Sequence, residues 1–163
     1  MSDTLFDNAK AVISQLEAIR QISPYPSFFQ AASSELFGGL SCPDSGYSES
    51  SPFHPRSPYG VAKLAAFWAA VNYREAYNIF ACNGILHNHS SPRRGLDFAT
   101  RKITRGVAMV KLGLTDCLKM GNLAAFRDEG HSKDYCKAMW MMLQADAPQD
   151  YLVAAGKGAT IKE

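Results

Sequence analysis

From Thr4 to Gln21 the apolar residues Leu5, Ala9, Val12, Ile13, Leu16 and Ile19 recur at helical spacing, with Ser2, Asp3 or Thr4 available to cap the start. This predicts an amphipathic helix. After the turn Ile22-Ser-Pro-Tyr-Pro26, the run Ser27-Phe-Phe-Gln-Ala-Ala32 is short, apolar and bounded by prolines and small polar residues, as a buried strand is. Gly38 to Pro58 is rich in glycine, proline and serine without periodicity and predicts a long loop, a kind of segment that often carries function.

Ser57-Pro58 then opens a helix, with serine as N-cap and proline at the first helical position. It runs through Val61, Leu64, Ala65, Trp68 and Val71 to Tyr77, where Asn78 can end it in a left-handed turn. A second strand is expected at Phe80-Ala-Cys-Asn-Gly-Ile-Leu86, then a polar loop from His87 to Gly95. The pattern continues with a helix over Phe98 to Leu112 stopped by Gly113, a brief strand at Asp116 to Met120, a helix from Ser132 to Ala145, and a last strand at Asp150 to Ala155.

Helix and strand thus alternate, which implies parallel pairing with helices on the faces, an α/β architecture. The order opens on a helix where a doubly wound domain opens on a strand, and no G-x-G-x-x-G follows any strand. The expectation is a partial, Rossmann-like doubly wound parallel sheet with helices on both faces.

With 163 residues the chain suits one domain with a real core. Its net charge of +2 gives no reason to expect a nucleic-acid partner or a polybasic membrane surface. Neither a signal peptide nor an apolar run of membrane-spanning length is present, so a cytoplasmic location is expected. Cys42, Cys82, Cys117 and Cys136 are scattered without metal-site spacing, so no metal is expected and reduced thiols are. Cys82 and Cys136 are expected on buried faces, and Met139-Trp-Met-Met142 is expected in the core. His54 and His87 read as surface or hydrogen-bonded loop histidines.

Tyr59-Gly-Val-Ala-Lys63 carries the strongest chemical signal. Residues four apart share a helix face, so the phenol and the ammonium can enter one site. A nearby cation and the positive helix end both favour phenolate, which would make Tyr59 a proton acceptor for a hydroxyl and carbonyl pair. The same pair also occurs on helices that do no chemistry. Ser33-Ser34-Glu35 follows a strand at its carboxyl end, where open α/β sheets bind ligands, although a capping turn explains it equally well.

Together these stretches resemble the extended short-chain dehydrogenase/reductases, and within them the GDP-mannose 4,6-dehydratases. The resemblance is carried by Gln30-Ala-Ala-Ser-Ser-Glu-Leu-Phe-Gly38, Pro52-Phe-His-Pro-Arg-Ser-Pro-Tyr-Gly-Val-Ala-Lys63, Asn72-Tyr-Arg-Glu-Ala-Tyr77, Ala81-Cys-Asn-Gly-Ile-Leu86, Ser91-Pro-Arg-Arg-Gly95, Thr100-Arg-Lys-Ile-Thr-Arg105, Arg127-Asp128 and Gly130-His131. It implies an NADP-dependent lyase that removes water from GDP-mannose to give a 4-keto-6-deoxy sugar, with hydride lent to the cofactor and returned.

By this resemblance Tyr59 is the base at the sugar 4-hydroxyl, Lys63 its partner and an anchor of the nicotinamide ribose, and Glu35 the base at C5. Ser33 stands where the family has threonine and keeps the hydroxyl. His89 and Arg94 match cofactor-holding positions, and Asn88, Lys102 and Arg127 match positions on the GDP-sugar side. The resemblance also implies a dimer or tetramer. Residues 1–163 then correspond to the central part of one NAD(P)-binding epimerase/dehydratase domain, without its N-terminal glycine-rich turn and its C-terminal substrate segment. Two departures stand out. The family's His-Glu-Ser-Pro-Arg-Arg has Ser90 here for glutamate, and its Arg-Asp-Trp-Gly has Glu129 for tryptophan. The alternatives are another nucleotide-sugar epimerase or dehydratase, disfavoured because an epimerase needs no C5 base, and a non-catalytic remnant that associates with a full-length subunit.

Overall fold

The computed structural model describes residues 2–38 and 46–163; Cys42 and part of the expected 38–58 loop lie outside them. The N-terminal amphipathic run forms a continuous helical rod: α1 (Ser2–Leu5), a wide π-type turn over Phe6–Lys10, and α2 (Ala11–Ile22). Strand β1 (Phe28–Ser33) leads into a single 3-10 turn at Ser34–Leu36. Helix α3 spans Pro58–Tyr77: Gly60 N–H donates to Ser57 Oγ at 3.0 Å, and Asn78 closes the helix at φ 54°. Strand β2 (Ala81–Leu86) is buried along its whole length, as a central parallel strand must be.

Two three-stranded sheets replace the single expected sheet. In the first, β1, β2 and β5 (Asp150–Val153) pair in parallel in that order, with Ala31 opposite Gly84 and Gly84 opposite Tyr151. In the second, β3 (Asn88–Ser90) pairs in parallel with β4 (Phe126–His131), which pairs antiparallel with β6 (Gly158–Thr160). The 87–95 segment is therefore not a plain loop. The strand expected at 116–120 is absent, and the true strand begins at Phe126. Arg127, Asp128 and Glu129 follow one another there on a half-exposed strand, so it lacks the apolar run that marks β2. Helix α4 (Ala99–Lys111) ends against Gly113 at φ 68°, and α5 covers Ser132–Met142.

Successive residues of β2 show how helices occupy both faces of the first sheet. Asn83 Nδ2 donates to the Phe67 carbonyl of α3 at 3.3 Å, whereas Cys82 Sγ points the other way, to the Met142 carbonyl at the end of α5. One core cluster joins Ala32, Leu36, Phe37, Phe67, Val71 and Ile85; the other joins Leu16, Ala70, Ile79 and Ala81 and seats α2 on α3. The face α3 buries is Gly60, Ala62, Ala66, Phe67, Ala70 and Val71, not the stripe through Val61 and Trp68, which stay exposed. Cys82 is buried as expected, but Cys136 is exposed. Of the methionine cluster only Met142 is buried; Trp140 and Met141 are exposed. No helix among the described residues is long and apolar enough to cross a membrane.

Candidate active site

The carboxyl ends of β1 and β2 and the first turns of α3 converge. Ser33 ends β1, and its Oγ accepts the Glu35 N–H at 3.2 Å, so the serine also caps the turn that carries Glu35. That turn lies hard against the start of α3. A Cβ on Gly60 would sit 3.0 Å from the Glu35 carbonyl oxygen and 3.0 Å from Pro55 Cβ, so glycine permits this approach. The consequence is that Tyr59 and Ser33 come to line the same cavity.

One turn on, Lys63 Nζ donates to the Ala31 carbonyl at 3.1 Å and lies 5.6 Å from the Tyr59 ring centre. Ser33, Tyr59 and Lys63 line a cavity of about 290 Å³ together with His87, Asn88, His89, Arg94 and Met139. Glu35 faces a neighbouring cavity of about 520 Å³, bordered also by Ser34, Arg127 and Asp128. His87 and Asn88 line both cavities and form the ridge between them. A third cavity, about 820 Å³, lies between α4, β4 and β6 and is lined by Asn88, Arg94, Arg127 and Glu129.

The electrostatics differ from the sequence expectation. Burial, and then the Glu35 charge, push the Tyr59 phenol above its ordinary value despite the opposing influence of the Ser33 hydroxyl, and burial pulls Lys63 down. Phenolate is therefore not favoured in the chain alone, because the Lys63 ammonium is turned to a backbone carbonyl.

His89 is fixed twice. A carbonyl only accepts, so Nδ1 carries the proton it gives the His87 carbonyl at 2.9 Å, and the ring stacks on Tyr135 with centroids 4.3 Å apart. Arg94 stacks on Phe98 at 3.7 Å, and its buried Nε has no hydrogen-bond partner among the described residues. A buried guanidinium nitrogen left open beside two cavities, with Lys63 nearby, fits a site for a phosphate-bearing cofactor. Tyr135 is buried and, by burial and the charges of Asp128 and Glu129, raised to about 12.

Gly130 lets the Tyr135 ring lie against β4, since a Cβ there would come within 2.4 Å of Tyr135 Cε2. Gly130→Ala should cost about 1–3 kcal/mol and displace the His89 ring, seen as a lower Tm and shifted imidazole resonances. An unchanged Tm and unshifted resonances would contradict this.

Of the residues expected from sequence, Ser33, Tyr59, Lys63, Asn88, His89 and Arg94 share one cavity, and Glu35 and Arg127 the next. Lys102 does not join them; it lines a separate groove between α4 and the segment at Thr115–Leu118. His87, expected to be unremarkable, is the residue that sequence reasoning missed. Its Nε2 is buried without a hydrogen-bond partner among the described residues, and burial lowers its pKa. Its only signal was its place directly after a buried strand.

The family model described as GDP-mannose 4,6 dehydratase matches residues 2–163. A GDP-mannose 4,6-dehydratase of Yersinia enterocolitica is 51% identical over 158 residues, 96% of this chain and 42% of that protein. The Homo sapiens GDP-mannose 4,6 dehydratase is 55% identical over 136 residues, 83% of this chain and 36% of that protein. The chain therefore spans less than half the length of these relatives. Among solved structures, RMD from Pseudomonas aeruginosa complexed with NADPH superposes with a TM-score of 0.89 at 23% identity, covering 97% of this chain and 55% of that one. The dTDP-glucose 4,6-dehydratase from Bacillus anthracis in complex with NAD gives 0.84 at 22% identity, covering 98% and 50%. At such identities these two superpositions speak for the fold.

Proposed function

Because the chain belongs to the GDP-mannose 4,6-dehydratase family, we propose that it carries the central catalytic portion of an enzyme that removes water from GDP-mannose with the help of NADP. The observation that supports this best is the gathering of Ser33, Tyr59 and Lys63 round one cavity, with Glu35 across the His87–Asn88 ridge. A proton acceptor for the hydroxyl on one carbon and a carboxylate base facing the adjoining space suit proton removal first from that hydroxyl and then from the neighbouring carbon of one sugar.

Tyr59, Lys63, His89 and Arg94 would hold the nicotinamide cofactor. Bound there, it supplies a hydride acceptor for C4 of the sugar and the donor that later reduces C6. Tyr59 takes the 4-hydroxyl proton, and Ser33, on the wall of the same cavity, directs that oxygen. Lys63 stabilises the phenolate that forms only briefly, offsetting the burial that otherwise opposes it. Once C4 is a ketone, the C5 proton is acidic. Glu35 removes it and returns a proton to the departing 6-hydroxyl, which leaves as water. Asn88 and Arg127 belong on the substrate side, and Lys102 is set apart from them.

The test is incubation of the purified chain with GDP-mannose and NADP, followed by mass spectrometry. A product lighter by one water, GDP-4-keto-6-deoxymannose, is the expected result, and a folded chain that yields none overturns the reading. Assembly as a dimer or tetramer belongs to the same proposal, supported by the exposed apolar side chains Val61 and Trp68 on α3. Light scattering should give a mass at least twice that of one chain, and a single-chain mass would refute it.

A further inference from the structure

Ser90 and Glu129, the two departures from the family pattern, are far apart in sequence and meet in the fold. Ser90 Oγ donates to Glu129 Oε1 and lies 3.0 Å from Thr100 Oγ1 in the first turn of α4. On the paired strands Asn88 stands opposite Glu129, so their side chains share a face, and Arg127, two residues back along β4, joins them. Gly130 faces the other way, against Tyr135. Asn88, Arg127 and Glu129 accordingly all line the 820 Å³ cavity, with Arg94 and Phe98 at its rim.

The wall is an alternating one. Arg127 only donates, Asn88 does both, and an ionised Glu129 only accepts. Its Oε1 is taken by Ser90, and Oε2 has no hydrogen bond among the described residues. That oxygen is left as an acceptor at the cavity wall, and the carboxylate's charge repels phosphate oxygens. It therefore suits the hydroxyl or N–H groups of a ligand, leaving anionic groups to the arginines.

We propose that Glu129 is a ligand-binding residue of this cavity, accepting a hydrogen bond from an O–H or N–H of the bound molecule, and that Ser90 is the positioning residue that aims its carboxylate. The inference rests on the nucleotide-sugar reading above. It assigns Glu129 to the nucleoside or sugar portion of such a ligand rather than to its diphosphate. Ser90 and Glu129 then form one unit, in which the carboxylate is carried by β4 and held by β3.

Calorimetric titration of the chain with GDP-mannose, GDP and NADP tests this for Glu129→Ala, Glu129→Gln and Ser90→Ala. Glu129→Ala should weaken GDP-mannose binding about tenfold or more, as expected for a lost hydrogen bond to a charged acceptor. Glu129→Gln and Ser90→Ala should each weaken it about threefold, and NADP affinity should stay within twofold throughout. If GDP affinity falls in parallel, the donor is on the nucleoside; if only GDP-mannose suffers, it is on the sugar. Both support the assignment. GDP-mannose binding to Glu129→Ala that is unchanged or tighter overturns it and leaves the pair a clasp for α4. Should Glu129→Ala fail to fold, unchanged affinity in Glu129→Gln and Ser90→Ala overturns it as well. A wild-type chain that takes up no GDP-mannose overturns the function reading and this assignment together.

Discussion

Tyr59→Phe is expected to lower the rate of water loss from GDP-mannose by about 10³-fold while leaving the fold intact, the scale on which a positioned acid or base contributes to a reaction. The substitution deletes one oxygen. Tyr59 as a whole is 41% exposed, and the start of α3 is held by the Ser57 cap and Pro58, neither of which involves the phenol. Circular dichroism and Tm should therefore match the wild type, with kcat and not KM carrying the loss. Wild-type rates in the variant would remove Tyr59 from the mechanism.

The raised phenol of Tyr59 adds a pH signature. The base form is scarce at neutral pH when burial and Glu35 lift its pKa, so kcat/KM should climb with pH above neutrality. Lys63→Met removes the cation that stabilises phenolate during the reaction, and should shift that rising limb to still higher pH. A profile flat from neutral to alkaline pH would mean that another group accepts the proton.

The second large effect is on stability. Asp150→Ala should cost about 3 kcal/mol and lower Tm by roughly 6–12 °C. Arg74 grips Asp150 through two hydrogen bonds, at 2.8 and 3.0 Å, and also donates to the Ala81 carbonyl at 3.0 Å. Asn83, wholly buried, donates to the same carboxylate at 2.8 Å. One side chain of β5 thus ties α3 to the central strand, and its removal strands a guanidinium and an amide inside the protein. A Tm within 2 °C of wild type would show that water replaces the carboxylate at little cost.

Little of that network was legible in advance. In the sequence Arg74 stands only within a matched stretch near the end of a helix, and Asp150 only as the first residue of the last expected strand. What joins them is the parallel pairing that sets Asn83 opposite Asp150, a relation of register between segments 67 residues apart. The same holds for the site. The sequence marked Tyr59 and Lys63 by helical spacing and Ser33 and Glu35 by their place after a strand, because these are local relations. It separated Lys102 from its expected companions no better than it joined Ser90 to Glu129.

Short-range physics therefore decided the helices, the buried strands β1 and β2, the capping of α3 and the proline and glycine stops, since each is written in a few neighbouring residues. It erred where the signal was faint: β4 is charged and half-exposed, β3 and β6 are only three residues long, and the face α3 buries sets Phe67 and Val71 among alanines and a glycine while Val61 and Trp68 stay exposed. Tertiary structure alone decided the division into two sheets, the closeness of the Glu35 turn to α3, the cavities on either side of His87 and the burial that lifts Tyr59. These depend on where distant segments meet and on how much water they exclude, and neither quantity is a property of a stretch of sequence.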